Sequence, residues 1–358
     1  MNFYETATLL EALKQVKAPT NFLADRYFPT DGNTDVFKSN KVLVEYRDGD
    51  QTVAPFIAPR VNGVTLERLG NTMHEYIPPT VGMKRTLTID DLKLRGFGEA
   101  LYGDKTPEER EGILVTEDMA ELRDTLRRRH EVMASEILFN NKLTIKEFGD
   151  DGKPSGAEKV MQFYEGGSNP AIYTPSSNWT TTEESGKQII ADITAMVKML
   201  TTRGISATEV VMASNVADVF LANPYIQKLL DNRRMEMGEV KPIELPDGAA
   251  RIARLNIRGR MIDFLTYDEE YYDAESKKMK PYIPEGHIVL LAPGCGHTVY
   301  GGITQMEDDN QFHTYAGEEV PKLLVDRTHD TKMISVRSAP LLLPHYKAPW
   351  VSAHVING

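Results

Sequence analysis

The sequence predicts a mixed α+β protein built around one long helix. Three observations carry this. Met119, Leu122, Leu126, Met133 and Ile137 recur at spacings of three, four and seven, one apolar stripe at a 3.6-residue period. Between residues 181 and 300, capped helical patterns alternate with short apolar strands. Residues 41–94 alternate like strands but carry Pro55, Pro59, Pro78 and Pro79, which bar them from the interior of a sheet.

The long helix is expected over Thr116 to Asn141. Thr116 is read as its N-cap, with Glu117 and Asp118 in the first turn at the positive end of the dipole. Asp124 with Arg128, and Arg127 with Glu131, place opposite charges four residues apart. Asn140-Asn141 is the stop. At about 1.5 Å per residue such a rod is roughly 38 Å long. The apolar stripe should lie on a sheet. The other face is either solvated or turned to neighbouring subunits, and Asp124, Arg127, Arg128 and Glu131 are the candidate assembly contacts on it.

Ahead of the helix, residues 1–40 read as an arm with a short helical stretch at Thr6 to Val16 and breaks at Pro19, Pro29 and Gly32. In residues 41–94, Val42, Val44 and Tyr46 alternate with Leu43 and Glu45. Asp48-Gly49-Asp50 marks a turn, from which a strand returns at Thr52-Val53-Ala54. Asp48 and Asp50 join the candidate assembly residues because this extended stretch buries little of its own surface. Gly96, Gly98, Gly103 and Pro107 mark residues 95–115 as a loop. After the helix, Leu143 to Phe148 and Lys159 to Tyr164 form a hairpin, and Gly166 to Asn178 a linker.

The following part is conventional. Thr181 with Glu184 is a capping box, Ile189, Ile190, Ile193, Met196, Val197 and Leu200 form a buried face, and Gly204 ends the helix. Glu209 to Ala213 is a strand. Ser214 caps a second helix, and a third begins at Pro224. Strands are expected at 251–257, 261–267 and 287–291, then at 320–325, 332–337 and 341–343.

Composition bounds the function. The chain has 358 residues, 41 Lys plus Arg against 52 Asp plus Glu, and a net charge of −11. That balance argues against a dedicated nucleic-acid binder. The basic run Arg127-Arg128-Arg129-His130 has no interleaved aromatic residues for base stacking. No stretch approaches the roughly 20 apolar residues that span a bilayer, so no membrane partner is expected. The first sixteen residues carry Glu5 and Glu11 and do not read as a signal peptide. The single cysteine, Cys295, excludes an intramolecular disulfide and fits a reducing compartment.

No catalytic, cofactor-binding or metal constellation emerges. The histidines at 74, 130, 287, 297, 313, 329, 345 and 354 include no helical pair of metal-ligand spacing. Cys295 sits in a glycine turn beside His297, which is not the geometry of a nucleophile and its base. Gly294-x-Gly296 lacks the third glycine of a dinucleotide fingerprint, and Ser185-Gly186-Lys187 lacks the upstream glycine of a P-loop. Asp268, Glu269 and Glu270 are adjacent on a strand and so alternate between faces.

Three stretches nevertheless carry a resemblance. They are Tyr267-Asp-Glu-Glu-Tyr271-Tyr-Asp273 with Pro281-Tyr-Ile-Pro284-Glu-Gly-His-Ile-Val-Leu290, then Gly296-His-Thr-Val-Tyr300-Gly-Gly-Ile303, then Val336-Arg337-Ser338-Ala339-Pro340-Leu341-Leu342-Leu343. This pattern resembles the capsid protein E family, the major capsid proteins of lambda-like tailed bacteriophages. The N-terminal half matches by organisation only.

The resemblance implies the Hong Kong 97-like phage capsid fold. It implies an N-terminal arm over 1–40, an extended E-loop over 41–94, and a peripheral domain over 95–180 with the spine helix 116–141. An axial domain over 181–300 follows, and 301–358 supply return strands of the peripheral domain. It implies a non-enzymatic shell protein of the virion, assembled in the host cytoplasm as pentamers and hexamers of itself. Portal, scaffolding and decoration proteins would be its partners, and double-stranded DNA would be enclosed without specific recognition. The alternatives are a nanocompartment shell of the same fold, and a soluble hydrolase or ligand-binding protein built on 181–300.

Overall fold

A computed structural model describes residues 21–31, 35–39, 41–46, 72–93, 106–149, 155–163, 171–230, 238–239, 243–245, 248–307 and 309–356. The long helix runs over Pro107–Asn140, so it begins about nine residues ahead of the expected start. Thr106, not Thr116, is its cap. The Thr106 hydroxyl accepts from the Glu109 amide, and the Glu109 carboxylate accepts from the Thr106 amide, a capping box with proline in the first turn. Thr116 lies inside the helix and donates back to the Gly112 carbonyl at 2.8 Å. Pro107 had counted towards a loop, but it takes the tolerated first position of the helix, and Gly112 follows inside it. A glycine inside a helix costs about 1 kcal/mol, which packing offsets. The stop is where the sequence places it, since Asn141 adopts a left-handed conformation with φ 55°. Thirty-four residues make a rod of roughly 51 Å.

That rod joins two separate apolar cores. Its first half lays Val115, Met119, Leu122 and Leu126 on Leu87, Leu323, Ile334 and Val336. These last come from a three-stranded antiparallel sheet in the order Val320–Asp326, Thr331–Ser338, Val81–Leu87. Arg85 fixes the edge strand to the helix through Asp118 and Glu121, both at 2.7 Å. Asp118 therefore serves as a strand anchor rather than as a first-turn residue.

The second half of the rod contributes Val132, Met133, Ala134, Ile137, Leu138 and Phe139 to a larger core. That core surrounds an eight-stranded mixed sheet ordered Ala171–Tyr173, Val351–His354, His287–Leu291, Glu209–Met212, Arg260–Tyr267, Ala249–Ile257 and Gly238–Glu239, with Ile243–Glu244 also paired to Ala249–Ile257. Glu209–Met212 is buried throughout and sits mid-sheet, which accounts for its unbroken apolar run. Helices Glu183–Thr201, Ser214–Ala222 and Pro224–Leu230 complete the layer. Ile189, Ile193, Met196, Val197 and Leu200 of the face read from the sequence are buried, whereas Ile190 is only partly so.

Several local readings shift. Thr182, not Thr181, caps the first of these helices, accepting from the Ser185 amide. Ala213 occupies the cap position of the second helix, and the Ser214 hydroxyl instead donates to Asp268 at 2.6 Å. Val351–His354, expected among the return strands of the other domain, is an inner strand of the eight-stranded sheet. Part of the stretch before 181 joins the same sheet, with Ala171–Tyr173 forming one edge. Residues 22–28 are not a peripheral arm: Phe22, Leu23, Tyr27 and Phe28 are fully buried in the larger core.

Val42–Tyr46 pairs with Thr72–Tyr76, in register from Val42 opposite Tyr76 to Tyr46 opposite Thr72. Thr72–Tyr76 is thus the partner of Val42–Tyr46 among the described residues. Residues 47–71, including Asp48, Asp50 and Thr52 to Ala54, lie outside the described residues, as does the helical stretch proposed for Thr6 to Val16.

Candidate functional site

Between its two apolar halves the long helix carries a polar seam. Arg123 Nε meets Glu319 at 2.7 Å, with both side chains largely buried. Arg127 Nη1 donates to Asp25 at 2.9 Å, and the Arg127 carbonyl accepts from the Asn21 side chain at 2.7 Å. Glu131 is 1% exposed. Its two carboxylate oxygens accept the amides of Leu23 at 2.7 Å and Ala24 at 2.9 Å. One helical turn thus receives the start of the short helix Phe22–Tyr27.

Burial dominates the electrostatics here. It pushes the Glu131 carboxyl up to about 7, although the Leu23 and Ala24 amides pull the other way. Burial, then the Arg127 charge, pushes His130 down to about 3, which keeps the ring neutral beside Tyr300. Glu319 is raised by burial against the opposing pull of Arg123 and Arg127.

The same short helix is held from its other side. Arg26 Nε donates to Glu209 at 2.9 Å, Arg26 Nη2 makes a second bond to that carboxylate, and the Tyr27 hydroxyl adds a third at 2.8 Å. Glu209 opens the mid-sheet strand, so the seam and the sheet grip one six-residue helix between them. Sequence reasoning missed Arg26, Glu209, Arg123 and Glu319. Their partners lie far off in the chain, and no local spacing signals them.

The proposed assembly residues separate into three groups. Arg128 is exposed and Asp124 half-buried on the outer side of the helix. Arg127 and Glu131 turn inward and bind the chain's own Asp25, Leu23 and Ala24 instead of each other. Glu131 is thus corrected from a surface contact to an internal clamp, because its side chain is enclosed by the short helix. Asp48 and Asp50 lie outside the described residues.

Groups with chemical potential are engaged structurally. Cys295 is buried, its thiol is pushed up by burial, and its sulfur lies 3.7 Å from the Tyr27 carbonyl. His287 stacks on His354 with ring centroids 4.3 Å apart, and His297 on His345 at 4.6 Å. Among the described residues, no group of three or more His, Cys, Asp or Glu is arranged to hold a metal ion. Asp268 accepts from Ser214 and Thr266, whereas Glu269 lies against Tyr267. A cleft of about 470 Å³ lies open between the end of the long helix and strand Lys278–Pro281. No described helix is long and apolar enough to cross a membrane.

The sequence model of one protein family, Phage major capsid protein E, matches residues 5–355. The chain belongs to this family. Its role is that of the phage major capsid protein, which builds the head shell. A crystal structure of the putative capsid protein of a prophage from E. coli CFT073 superposes with a TM-score of 0.66 at 17% identity, covering 98% of this chain and 99% of that one. A phage-related protein from Bordetella bronchiseptica RB50 gives a TM-score of 0.50 at 8% identity, covering 98% and 96%. No curated protein sequence matches the chain. The fold is the Hong Kong 97-like capsid fold expected from the sequence. In this capsid protein the long helix is the piece that spans both cores.

Proposed function

We propose that the subunit is a tile of an icosahedral head, assembled as pentamers and hexamers into a precursor shell that expands as DNA enters. The observation that carries this reading is the family match across residues 5–355. The two-core architecture supports it, since a rigid rod anchored in separate bodies suits a tile that must keep its outline under load. The E-loop that reaches a neighbour lies within residues 41–94, ahead of strand Val81–Leu87, which belongs to the peripheral sheet, and Asp48 and Asp50 are its candidate contacts. Asp124 and Arg128 are the helix charges that meet other copies, while Arg127 and Glu131 keep the internal role described above.

The axial body consists of residues 181–300 together with strands Ala171–Tyr173 and Val351–His354. The peripheral body holds the first half of the long helix and the three-stranded sheet. The shell performs no catalysis. Portal, scaffolding and decoration proteins are its partners, and it forms in the host cytoplasm before becoming part of the virion. The net charge of −11 favours a wall that contains DNA without gripping it.

The test is expression of the full chain followed by sedimentation and negative-stain microscopy. Closed particles or isolated capsomers are expected; a monomer that stays monomeric across salt and concentration overturns the reading. A nanocompartment of the same fold stands second, because the matching family is named for phage capsids. Particles that package a host enzyme in place of DNA would favour it.

A further inference from the structure

Two hairpins project from the subunit with one face packed and the other bare. In the first, Glu270–Asp273 pairs with Lys278–Pro281. Its inner face sets Tyr271 against Tyr282, with ring centroids 5.2 Å apart. Its outer face places Tyr272 opposite Met279, and these are 61% and 55% exposed. In the second, Ile303–Met306 pairs with Phe312–Tyr315. Ile303 and Gln305 are buried on the inner side. On the outer side Met306 lies opposite Phe312, and these are 44% and 72% exposed. An aromatic–methionine cross-strand pair is therefore left open to solvent on each hairpin.

The charges around the two pairs differ in sign. On the first hairpin, Asp273 is taken up by Lys280 and Glu275 by Lys146. Lys277 and Lys278 at its turn are exposed, and neither has an ion-pair partner among the described residues. On the second hairpin the turn reads Glu307-Asp308-Asp309. Glu307 accepts from the Gln305 side chain at 2.9 Å and Asp309 meets His313 at 2.7 Å, so both carboxylates have partners within the subunit, while the run of acidic residues keeps this turn negative.

We propose that the two hairpins are the two halves of one contact between neighbouring copies: Tyr272 and Met279 of one subunit pack on Met306 and Phe312 of the next, with Lys277 and Lys278 facing Glu307 and Asp309. A contact between unlike patches is heterologous, and heterologous contacts close into rings when the rotation permits. Apolar centres with charged rims are the usual anatomy of such interfaces. The complementary charges set partner and register, and the apolar pairs supply most of the affinity. This inference rests on the shell reading above and names where one of its contacts lies.

The test uses the full chain and three variants. Lys277→Glu with Lys278→Glu, and separately Glu307→Lys with Asp309→Lys, should each lower particle yield at least tenfold, read by sedimentation and electron microscopy. Circular dichroism and the thermal midpoint should stay those of the parent, since every altered side chain lies at a hairpin turn. The variant carrying all four changes should recover particles. Normal particles from either charge-reversed variant overturn the inference, and so does a folded four-fold variant that fails to assemble. If the parent chain itself yields no particles, the shell reading fails, and that result is distinguishable because it precedes any substitution.

Discussion

Glu131 in the middle of the long helix accepts the amide of Leu23 at 2.7 Å, across 108 positions of sequence. The contact makes subunit stability depend on pH with a definite sign. The folded carboxyl is raised from 4.5 to about 7 by burial, so between these values the folded state holds a proton that the unfolded state has lost. Stability from this group is fully present below about pH 4.5 and is lost as pH rises through about 7. The full effect is on the order of 3 kcal/mol. Urea denaturation of dissociated subunits at pH 5, 6, 7 and 8 should show the decline. Glu131→Gln should flatten it. A slope unchanged by that substitution would assign the pH dependence elsewhere.

Glu131→Ala should act differently from Glu131→Gln. It leaves the Leu23 and Ala24 amides buried without acceptors, at about 1–3 kcal/mol each. The loss should appear first as faster hydrogen exchange at residues 22–28, with the three-stranded sheet still protected. Uniform loss of protection would mean that the two cores unfold as one unit.

Arg26 and Glu209 form a largely buried pair between the short helix and the mid-sheet strand. Removing one partner of a fully buried pair costs about 3–5 kcal/mol. Arg26 is about one-third exposed, so solvent screening reduces the expectation to about 2–3 kcal/mol for Arg26→Ala. Glu209→Ala should cost more, because Arg26 and the Tyr27 hydroxyl then both lose their acceptor. Denaturant midpoints of the two variants, compared in one buffer, decide the order.

The two faces of the long helix should separate by assay. Asp at both Leu122 and Leu126 puts charge into a closed apolar layer and should abolish folding of the first core. Arg128→Glu should leave the subunit soluble and folded but reduce particle formation. Arg127→Glu should instead destabilise the subunit, because it faces Asp25 and Glu319. If Arg127 and Arg128 reversals behave alike in both folding and assembly measurements, the division of the helix into an inner and an outer side is wrong.

Gly296→Ala offers a packing test away from the helix. A Cβ there would stand 2.5 Å from the Leu343 carbonyl oxygen and 2.5 Å from the Phe28 ring. Strand and ring both have to move, and a cost of about 1–3 kcal/mol is expected in the thermal midpoint.

The apolar stripe of the long helix, the left-handed stop at Asn141, the buried face of Glu183–Thr201 and most strands of the eight-stranded sheet were legible in sequence. Each is fixed by contacts that repeat at a local period, and a period is visible in one chain. The helix start was misread because Pro107 was grouped with the glycines before it as a loop signal, which the capping box at Thr106 overrides. The pairing of Val42–Tyr46 with Thr72–Tyr76 was not foreseen, because strand pairing over that separation leaves no local mark. The seam was invisible for the same reason: Arg127 and Glu131 look like a surface pair four residues apart, and only the arrival of residues 21–27 turns them inward. Hairpin exposure is likewise a property of what packs beneath Tyr271 and Gln305, not of the residues that remain outside.

The position of Val351–His354 inside the eight-stranded sheet sets a clock on the subunit's birth. This strand lies between Ala171–Tyr173 and His287–Leu291, and Trp350 beside it packs edge-on against Phe28 at 5.7 Å. A ribosome must therefore release residues 350–354 before the sheet can close over Phe28 and its neighbours, which were made far earlier. Until then the edge of His287–Leu291 stays open and residues 22–28 lack their full seat. A subunit still lacking this strand leaves Ala171–Tyr173 and His287–Leu291 without their shared neighbour, so the sheet closes late in synthesis.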